Sequence, residues 1–351
     1  MRLFSTWLSG LAFSPLALAF WPSSDVYNSV QVPESPYNND QPKVKVETLF
    51  QFPNNGSWID NMVVRSDGNL LLTRLDTPEV WQVNTTSGNA TLVHSFPNVT
   101  SCFGISEIAD DVFAVVIGDF DSKTYQPTAG SFSVQKLDFS EKNATQDERA
   151  LAGPIASEIA AVPESLALNG MATFAQDSNL VLVADSLMGV IWKVDTETGD
   201  YAVALNHTTM TAAPGPLPLG INSCTVLGEY VYYTSTTRMQ YCRVKVDKQA
   251  NAVGDYEVIA SGFLPDNIEL TPDGTAYIPT DPQNGVVRIT PLGQIALVAG
   301  GQISMEMPGP TSTRLSKDRD VLYVGTSGGQ IAPVLGTFTE PAKVVKITLQ
   351  S

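Results

Sequence analysis

An all-β fold, a six-bladed β-propeller closed by an N-terminal strand, is what this sequence predicts. Three observations carry the prediction. First, a score of polar turn, apolar strand, Gly/Asp turn, apolar strand and third strand recurs six times along the chain. The clearest copies are Ser57-Trp58-Ile59-Asp60-Asn61-Met62-Val63-Val64 with Gly68-Asn69-Leu70-Leu71-Leu72-Thr73-Arg74, Leu168-Asn169-Gly170-Met171-Ala172-Thr173-Phe174 with Leu180-Val181-Leu182-Val183-Ala184-Asp185-Ser186, and Leu264-Pro265-Asp266-Asn267-Ile268-Glu269-Leu270 with Gly274-Thr275-Ala276-Tyr277-Ile278-Pro279-Thr280. Repeats of roughly 45–65 residues made only of strands cannot bury both faces singly, so they stack radially. Second, the third strands share one pattern, as in Trp81-Gln82-Val83, Trp192-Lys193-Val194, Cys242-Arg243-Val244, Val287-Arg288-Ile289 and Val345-Lys346-Ile347, which is alternation with one buried face. Third, an extra strand, Lys43 to Phe52, precedes the first copy and has no blade of its own.

Taken in order, residues 1–19 read as a secretory signal peptide. Arg2 precedes an apolar run, Leu8 to Leu18, that ends in Ala17-Leu18-Ala19, and the run is too short to span a membrane. Residues 20–42, rich in Pro, Asn and Ser, form an N-terminal arm, and 43–351 form the propeller domain. The Lys43–Phe52 strand is expected to finish the last blade from outside, which removes the exposed edge of the ring. Blade one spans Ser57 to Phe96. Blade two opens at Ser101-Cys102-Phe103-Gly104-Ile105-Ser106 and trails into a polar surface excursion from Ser140 to Pro154. Blade three opens at Leu168, blade four at Leu219-Gly220-Ile221-Asn222, blade five at Pro265-Asp266-Asn267 and blade six at Pro308-Gly309-Pro310-Thr311-Ser312. Trp81 and Trp192 are expected to fill the wedges between blades.

Composition narrows the function classes. The 351 residues carry a net charge of −16, which argues against nucleic acid as a partner because phosphate binding needs basic surface. At 43% hydrophobic and 16% charged residues, the chain can bury a large core. Six Asn-x-Ser/Thr sequons, at Asn55, Asn84, Asn89, Asn98, Asn143 and Asn206, agree with a secreted or vesicular-lumen protein carrying glycans. Three cysteines do not make a disulfide scaffold, although Cys224 and Cys242 lie on nearby strands of one blade and could pair. His94 and His207 are the only histidines, and no Ser-His-Asp order, P-loop or dinucleotide fingerprint is present. Oligomeric state is left open.

The first residues of the innermost strands converge on the ring axis. Across the repeats these are Asp60 and Asn61, Gly104 and Ser106, Asn169, Asn222, Asp266 and Asn267, and Thr311 with Ser312. Polar residues inside otherwise apolar strands need partners or water, and their recurrence in nearly every blade suggests one shared pocket. Alternatively, they satisfy one another around a wet axis. The two carboxylates, Asp60 and Asp266, could join Asn169 in holding Ca²⁺ or Mg²⁺. Otherwise a partly buried Asp could keep a raised pKa and handle protons. Trp58, Phe103 and Met171, together with Met62, Ile221 and Ile268, are candidates for the apolar wall.

At these residues the chain resembles the calcium-dependent phosphotriesterase superfamily of six-bladed propellers, the senescence-marker/gluconolactonase group. The likeness is strongest at Leu168-Asn169-Gly170-Met171, Val183-Ala184-Asp185-Ser186 and Leu264-Pro265-Asp266-Asn267. It implies that Asp60, Asn169 and Asp266 hold a metal and that Asp266 is the base of a metal-dependent lactonase or esterase. Two departures stand out: Asp60 occupies a Glu position of the group, and Phe103-Gly104 replaces its substrate-binding Asn. A secreted fungal branch is closer, with Trp58-Ile59-Asp60-Asn61, Leu72-Thr73-Arg74-Leu75-Asp76, Asp111-Val112-Phe113-Ala114-Val115-Val116 and Ala299-Gly300-Gly301 as hallmarks. That branch includes the hetero-Diels-Alderases of tropolone–sesquiterpenoid pathways. The resemblance implies a cofactor-free enzyme that joins a tropolone o-quinone methide to a humulene-type sesquiterpene by [4+2] cycloaddition. On this reading the partners are small apolar molecules. Asp60, Asn169 and Asp266 are the catalytic residues, and Trp58, Asn61, Phe103, Met171, Asn222 and Asn267 bind substrate. A propeller that binds a ligand without catalysis is the remaining alternative.

Overall fold

The computed structural model describes residues 44–140, 153–174, 176, 177, 179–215 and 217–349. The expected signal peptide (1–19) and arm (20–42), Asn143, and residues 141–152 of the polar excursion lie outside the described residues.

The first strand, β1 (Lys45–Gln51), stands apart from the blade that follows it. Blade one is β2 (Ile59–Val64), β3 (Leu70–Arg74), β4 (Glu79–Val83) and β5 (Ala90–Ser95). Blade two is β6 (Ser101–Ala109), β7 (Val112–Gly118), β10 (Ser133–Asp138) and β11 (Ile155–Ala161), interrupted by a small hairpin of β8 (Phe120–Asp121) and β9 (Gln126–Pro127). Blade three is β12 (Leu168–Thr173), β13 (Leu180–Asp185), β14 (Val190–Asp195) and β15 (Tyr201–Asn206); blade four is β16 (Ile221–Leu227), β17 (Tyr230–Ser235), β18 (Gln240–Val246) and β19 (Ala252–Ser261). Blade five is β20 (Glu269–Leu270), β21 (Ala276–Thr280), β22 (Gly285–Ile289) and β23 (Ile295–Gly300). Blade six consists of β24 (Pro310–Leu315), β25 (Val321–Thr326) and β26 (Lys343–Thr348), with β1 on its outside.

The ring is therefore closed as the sequence predicts: Thr48 of β1 lies opposite Val345 of β26 in antiparallel register. Alternation explains the radial layering. In β14, Val190, Ile191, Trp192 and Val194 are buried while Lys193 and Asp195 are half-exposed. Trp192 joins an apolar cluster with Val116, Val134 and Val162 from the blade-two side. Trp81 meets Phe52, just beyond β1, edge-on at 5.3 Å between ring centroids. Both tryptophans thus fill inter-blade wedges. Among the described residues no helix is long and apolar enough to cross a membrane.

One expectation is corrected. Cys224 and Cys242 do not pair; both are free and buried, as is Cys102. Cys224 sits opposite Tyr233, and Tyr233 opposite Cys242, so a whole strand separates the thiols. Two inter-strand steps are about 9–10 Å, beyond the reach of a disulfide.

Candidate active site

Each inner strand carries an irregularity at its start, and the site is built from these. The register slips between Ile59 and Met62 in β2, Cys102 and Ile105 in β6, Leu168 and Met171 in β12, and Ile221 and Cys224 in β16. A further slip lies between Pro310 and Ser312 in β24. In blade five, Pro265 bridges to Thr280 and regular pairing resumes only at Glu269. A bulge frees two residues from alternation and re-aims their side chains. Here the first bulged residue faces the axis in five blades: Asp60, Phe103, Asn169, Asn222 and Asp266 all line one cavity.

The second bulged residue turns away and holds the blades together. Asn267 donates to Oδ1 of Asn61, accepts 2.8 Å from Ser223 Oγ, and accepts the Ile268 amide at 2.7 Å. Where two inner strands press closest, this position is glycine. A Cβ on Gly104 would fall 2.5 Å from the Asn169 carbonyl oxygen, and one on Gly170 would fall 2.2 Å from Ser223 Oγ. Asn61 and Asn267, expected to bind substrate, are 3% and 2% exposed and bonded to each other. Neither they nor Met171 line the cavity. Met171 is buried in the core between blades two and three, Met62 and Ile268 are buried in clusters of their own, and Ile221 lies in the core between blades three and four.

The cavity encloses about 960 Å³, its open mouth included. One side is aromatic and aliphatic: Trp58 and Leu75 from blade one, Phe103 and Phe132 from blade two, and Phe120, Tyr125 and Pro127 from the β8–β9 hairpin. These rings support one another, Phe103 with Phe132 at 5.4 Å and with Phe120 at 6.0 Å, and Trp58 with Tyr125 at 6.1 Å. Tyr125 OH donates to the Gln330 carbonyl at 3.0 Å, pinning the hairpin to a loop of blade six. Polar groups are set among the remaining lining, Asp60, Asn169, Ser186, Asn222, Thr236, Asp266 and Asp281, interleaved with Leu168, Leu217, Leu219 and Leu264.

Sequence reasoning missed two groups. Phe120 and Tyr125 ride on an insertion that breaks the repeat. Ser186, Thr236 and Asp281 each follow directly after the second strand of their blade. Reading that one position in every repeat would have revealed this upper tier. Asp185, beside it, is structural: its carboxylate accepts the amides of Leu166 and Ala167 at 2.9 and 3.0 Å.

Burial dominates the electrostatics. Loss of water lifts the Asp60 carboxyl to about 7, against a hydrogen bond from Asn61 Nδ2 at 3.0 Å that favours its ionised form. Asp281 is likewise pushed to about 7 by burial. Asp266 is held well above the ordinary carboxyl range by burial and then by the charges of Asp60 and Asp281, opposed by a hydrogen bond from Asn222. Three carboxyls around one cavity therefore keep protons near neutrality, which suits donation to a ligand oxygen or acid–base exchange. Their oxygens, with the amide oxygens of Asn169 and Asn222, also match the donor types a hard cation accepts. Neither His94, against Phe96, nor His207, stacked on Tyr256, lines the cavity.

No family model matches the chain. A Phoma species protein named "Putative hetero-Diels-Alderase" is 32% identical over 323 residues, covering 83% of this chain and 88% of its own. A similarly named protein of Sarocladium schorii is 29% identical over 311 residues, covering 77% of this chain and 75% of its own. Among solved structures, the calcium-binding regucalcin of Agrobacterium tumefaciens superposes with a TM-score of 0.60 at 14% identity, over 88% of this chain and 96% of its own. A Xanthomonas campestris gluconolactonase gives 0.58 at 10%, over 87% and 90%. At that identity the structural likeness speaks for the fold.

Proposed function

The chain belongs to the hetero-Diels-Alderase family of six-bladed propellers of the senescence-marker/gluconolactonase type, and we propose that it joins a tropolone o-quinone methide to a humulene-type sesquiterpene by [4+2] cycloaddition. The observation that carries this reading is one apolar cavity, with aromatic rings clustered on blades one and two, into which a few carboxyl and amide groups project: Asp60, Asn169, Asn222, Asp266 and Asp281. The sesquiterpene packs against Phe103, Phe120 and Phe132, and the oxygenated ring faces Asn169, Asn222 and Asp266. Holding two reactants face to face in a near-attack arrangement is worth about 7–11 kcal/mol. Donors fixed at the heterodiene oxygen add to this as charge shifts onto it.

The coupled carboxyls suit formation of the quinone methide from a hydroxymethyl precursor. A neutral Asp266 gives its proton to the leaving hydroxyl, the C–O bond breaks, and water departs. Ionised Asp60 takes the ring hydroxyl proton, so the pair ends with its protons exchanged and none consumed. The cycloaddition itself moves only electron pairs. Incubating precursor and sesquiterpene with and without the protein tests the reading: it requires a changed diastereomer ratio, and an unchanged ratio refutes it.

A second reading, a metal-dependent lactonase, is favoured by the oxygen donor set of Asp60, Asp266, Asn169 and Asn222, where a Ca²⁺ or Mg²⁺ would polarise a lactone carbonyl. Lactone hydrolysis abolished by a chelator would establish it in place of the first.

We propose further that the protein enters the secretory pathway and carries glycans. The leader at 1–19 supports this, as do the exposed sequon residues Asn55, Asn89, Asn98 and Asn206. Asn84 is half-buried, its Oδ1 taken by the amides of Thr86 and Ser87. A mass shift on glycosidase treatment of the secreted protein checks it.

A further inference from the structure

Two buried side-chain polar atoms on residues that line the cavity, Trp58 Nε1 and Asp281 Oδ1, lack a hydrogen-bond partner among the described residues. Both side chains are buried, Trp58 6% and Asp281 7% exposed. Buried donors and acceptors are normally satisfied, so an orphan at a cavity wall is a contact left for something else. Both residues are held firmly. The Trp58 amide donates 2.8 Å to Asp76 Oδ1, its carbonyl accepts the Leu75 amide at 3.1 Å, and its ring rests edge-on against Tyr125. Asp281 follows β21, and its second oxygen has only a long 3.5 Å contact from Ser327 Oγ. Apolar neighbours cannot replace what these two atoms lack.

We propose that Trp58 and Asp281 bind the oxygen-bearing end of the substrate, the indole N–H donating to a carbonyl-type oxygen and the Asp281 carboxyl completing the contact. Trp58 is then a hydrogen-bond donor within the aromatic wall rather than a passive part of it. Asp281, buried and in its neutral form, is a second donor. This deepens the cycloaddition reading by naming what recognises the oxygenated partner. The ligand class is an unsaturated cyclic ketone, the oxygenated partner of that reading, its ring toward Asn169, Asn222 and Asp266 and its carbonyl end toward Trp58 and Asp281.

The test uses binding, so that it stands apart from turnover. Tropone, a neutral unsaturated ketone, and cycloheptatriene, its oxygen-free counterpart, are titrated calorimetrically into the full chain. Tropone should bind about tenfold more tightly or better. Trp58→Phe and Asp281→Leu should each remove most of that preference, read as the ratio of tropone to cycloheptatriene affinity within the same variant. Asp281→Asn, which keeps a donor, should retain it in part. Equal binding of the two probes by the native protein overturns the proposal, as does an undiminished tropone preference in folded Trp58→Phe and Asp281→Leu. Tropone preference without any cycloaddition would keep the proposal and remove the reaction assigned above.

Discussion

The side-chain amide of Asn267 donates to Oδ1 of Asn61, joining the inner strands of blades five and one although 206 residues separate them. Asn267 also receives the Ser223 hydroxyl, so one side chain ties blades four, five and one together around the axis. Asn267→Ala leaves the Asn61 oxygen and the Ser223 hydroxyl without their partner in a dry setting. An unsatisfied buried group costs about 1–3 kcal/mol, and the variant is expected to lose about 2–4 kcal/mol. Urea unfolding followed by tryptophan fluorescence measures it.

Stability should depend on pH through the cavity carboxyls. Asp60 and Asp281 release their protons only near 7 when folded, whereas the unfolded chain releases them near 4. Between those values the folded state binds more protons, so their contribution falls as pH rises through the window and is fully lost above 7. Asp281→Asn removes one such group. Its stability relative to the native protein should grow by about 1–3 kcal/mol from pH 4 to pH 8, read from denaturation midpoints across that range. A constant difference would refute the shift at Asp281.

Asp266→Asn preserves shape and hydrogen bonding but cannot transfer a proton. Turnover of the hydroxymethyl precursor should drop about 10²-fold, the lower end of what acid–base catalysis supplies. Its KM should change little, since Asn169 and Asn222 still line the same wall. Steady-state assays of product formation separate the two parameters.

Tyr125→Phe cuts the tie between the β8–β9 hairpin and Gln330 without removing a ring from the wall. The expected result is a KM for the sesquiterpene raised roughly fivefold, about what one hydrogen bond is worth. The melting temperature should stay within a few degrees, because the ring's inner strands are untouched. A KM equal to the native value would show that the hairpin needs no tether.

Reductant should leave the melting temperature unchanged. The three thiols are free and buried, and burial raises Cys224 and Cys242 to about 12. A thiol reagent should accordingly label the folded protein only on unfolding. Labelling kinetics with and without urea checks this.

Blade count, strand order and closure are all legible in the sequence, because the repeat prints itself through alternation and turn residues. The pocket was half legible. Polar residues interrupting apolar inner strands pointed to Asp60, Asn169, Asn222 and Asp266. A period-two rule does not say which of two consecutive polar residues faces inward, so it groups Asn61 and Asn267 with their neighbours. Only the bulge decides, and it appears as a register slip between strands rather than as a residue type. Asp281 was hidden differently, one residue past a strand and visible only when the second strands are aligned. Phe120 and Tyr125 belong to an insertion, and no repeat predicts an insertion.

The closure at β1 sets a timetable for synthesis. Thr48 is made 297 residues before its partner Val345, so the growing chain carries an unmatched strand until β26 emerges. Phe52, buried in one cluster with Ala342 and Val344, lacks that cover for the same interval and is open to misassociation. Shielding β1 until β26 arrives would limit that exposure.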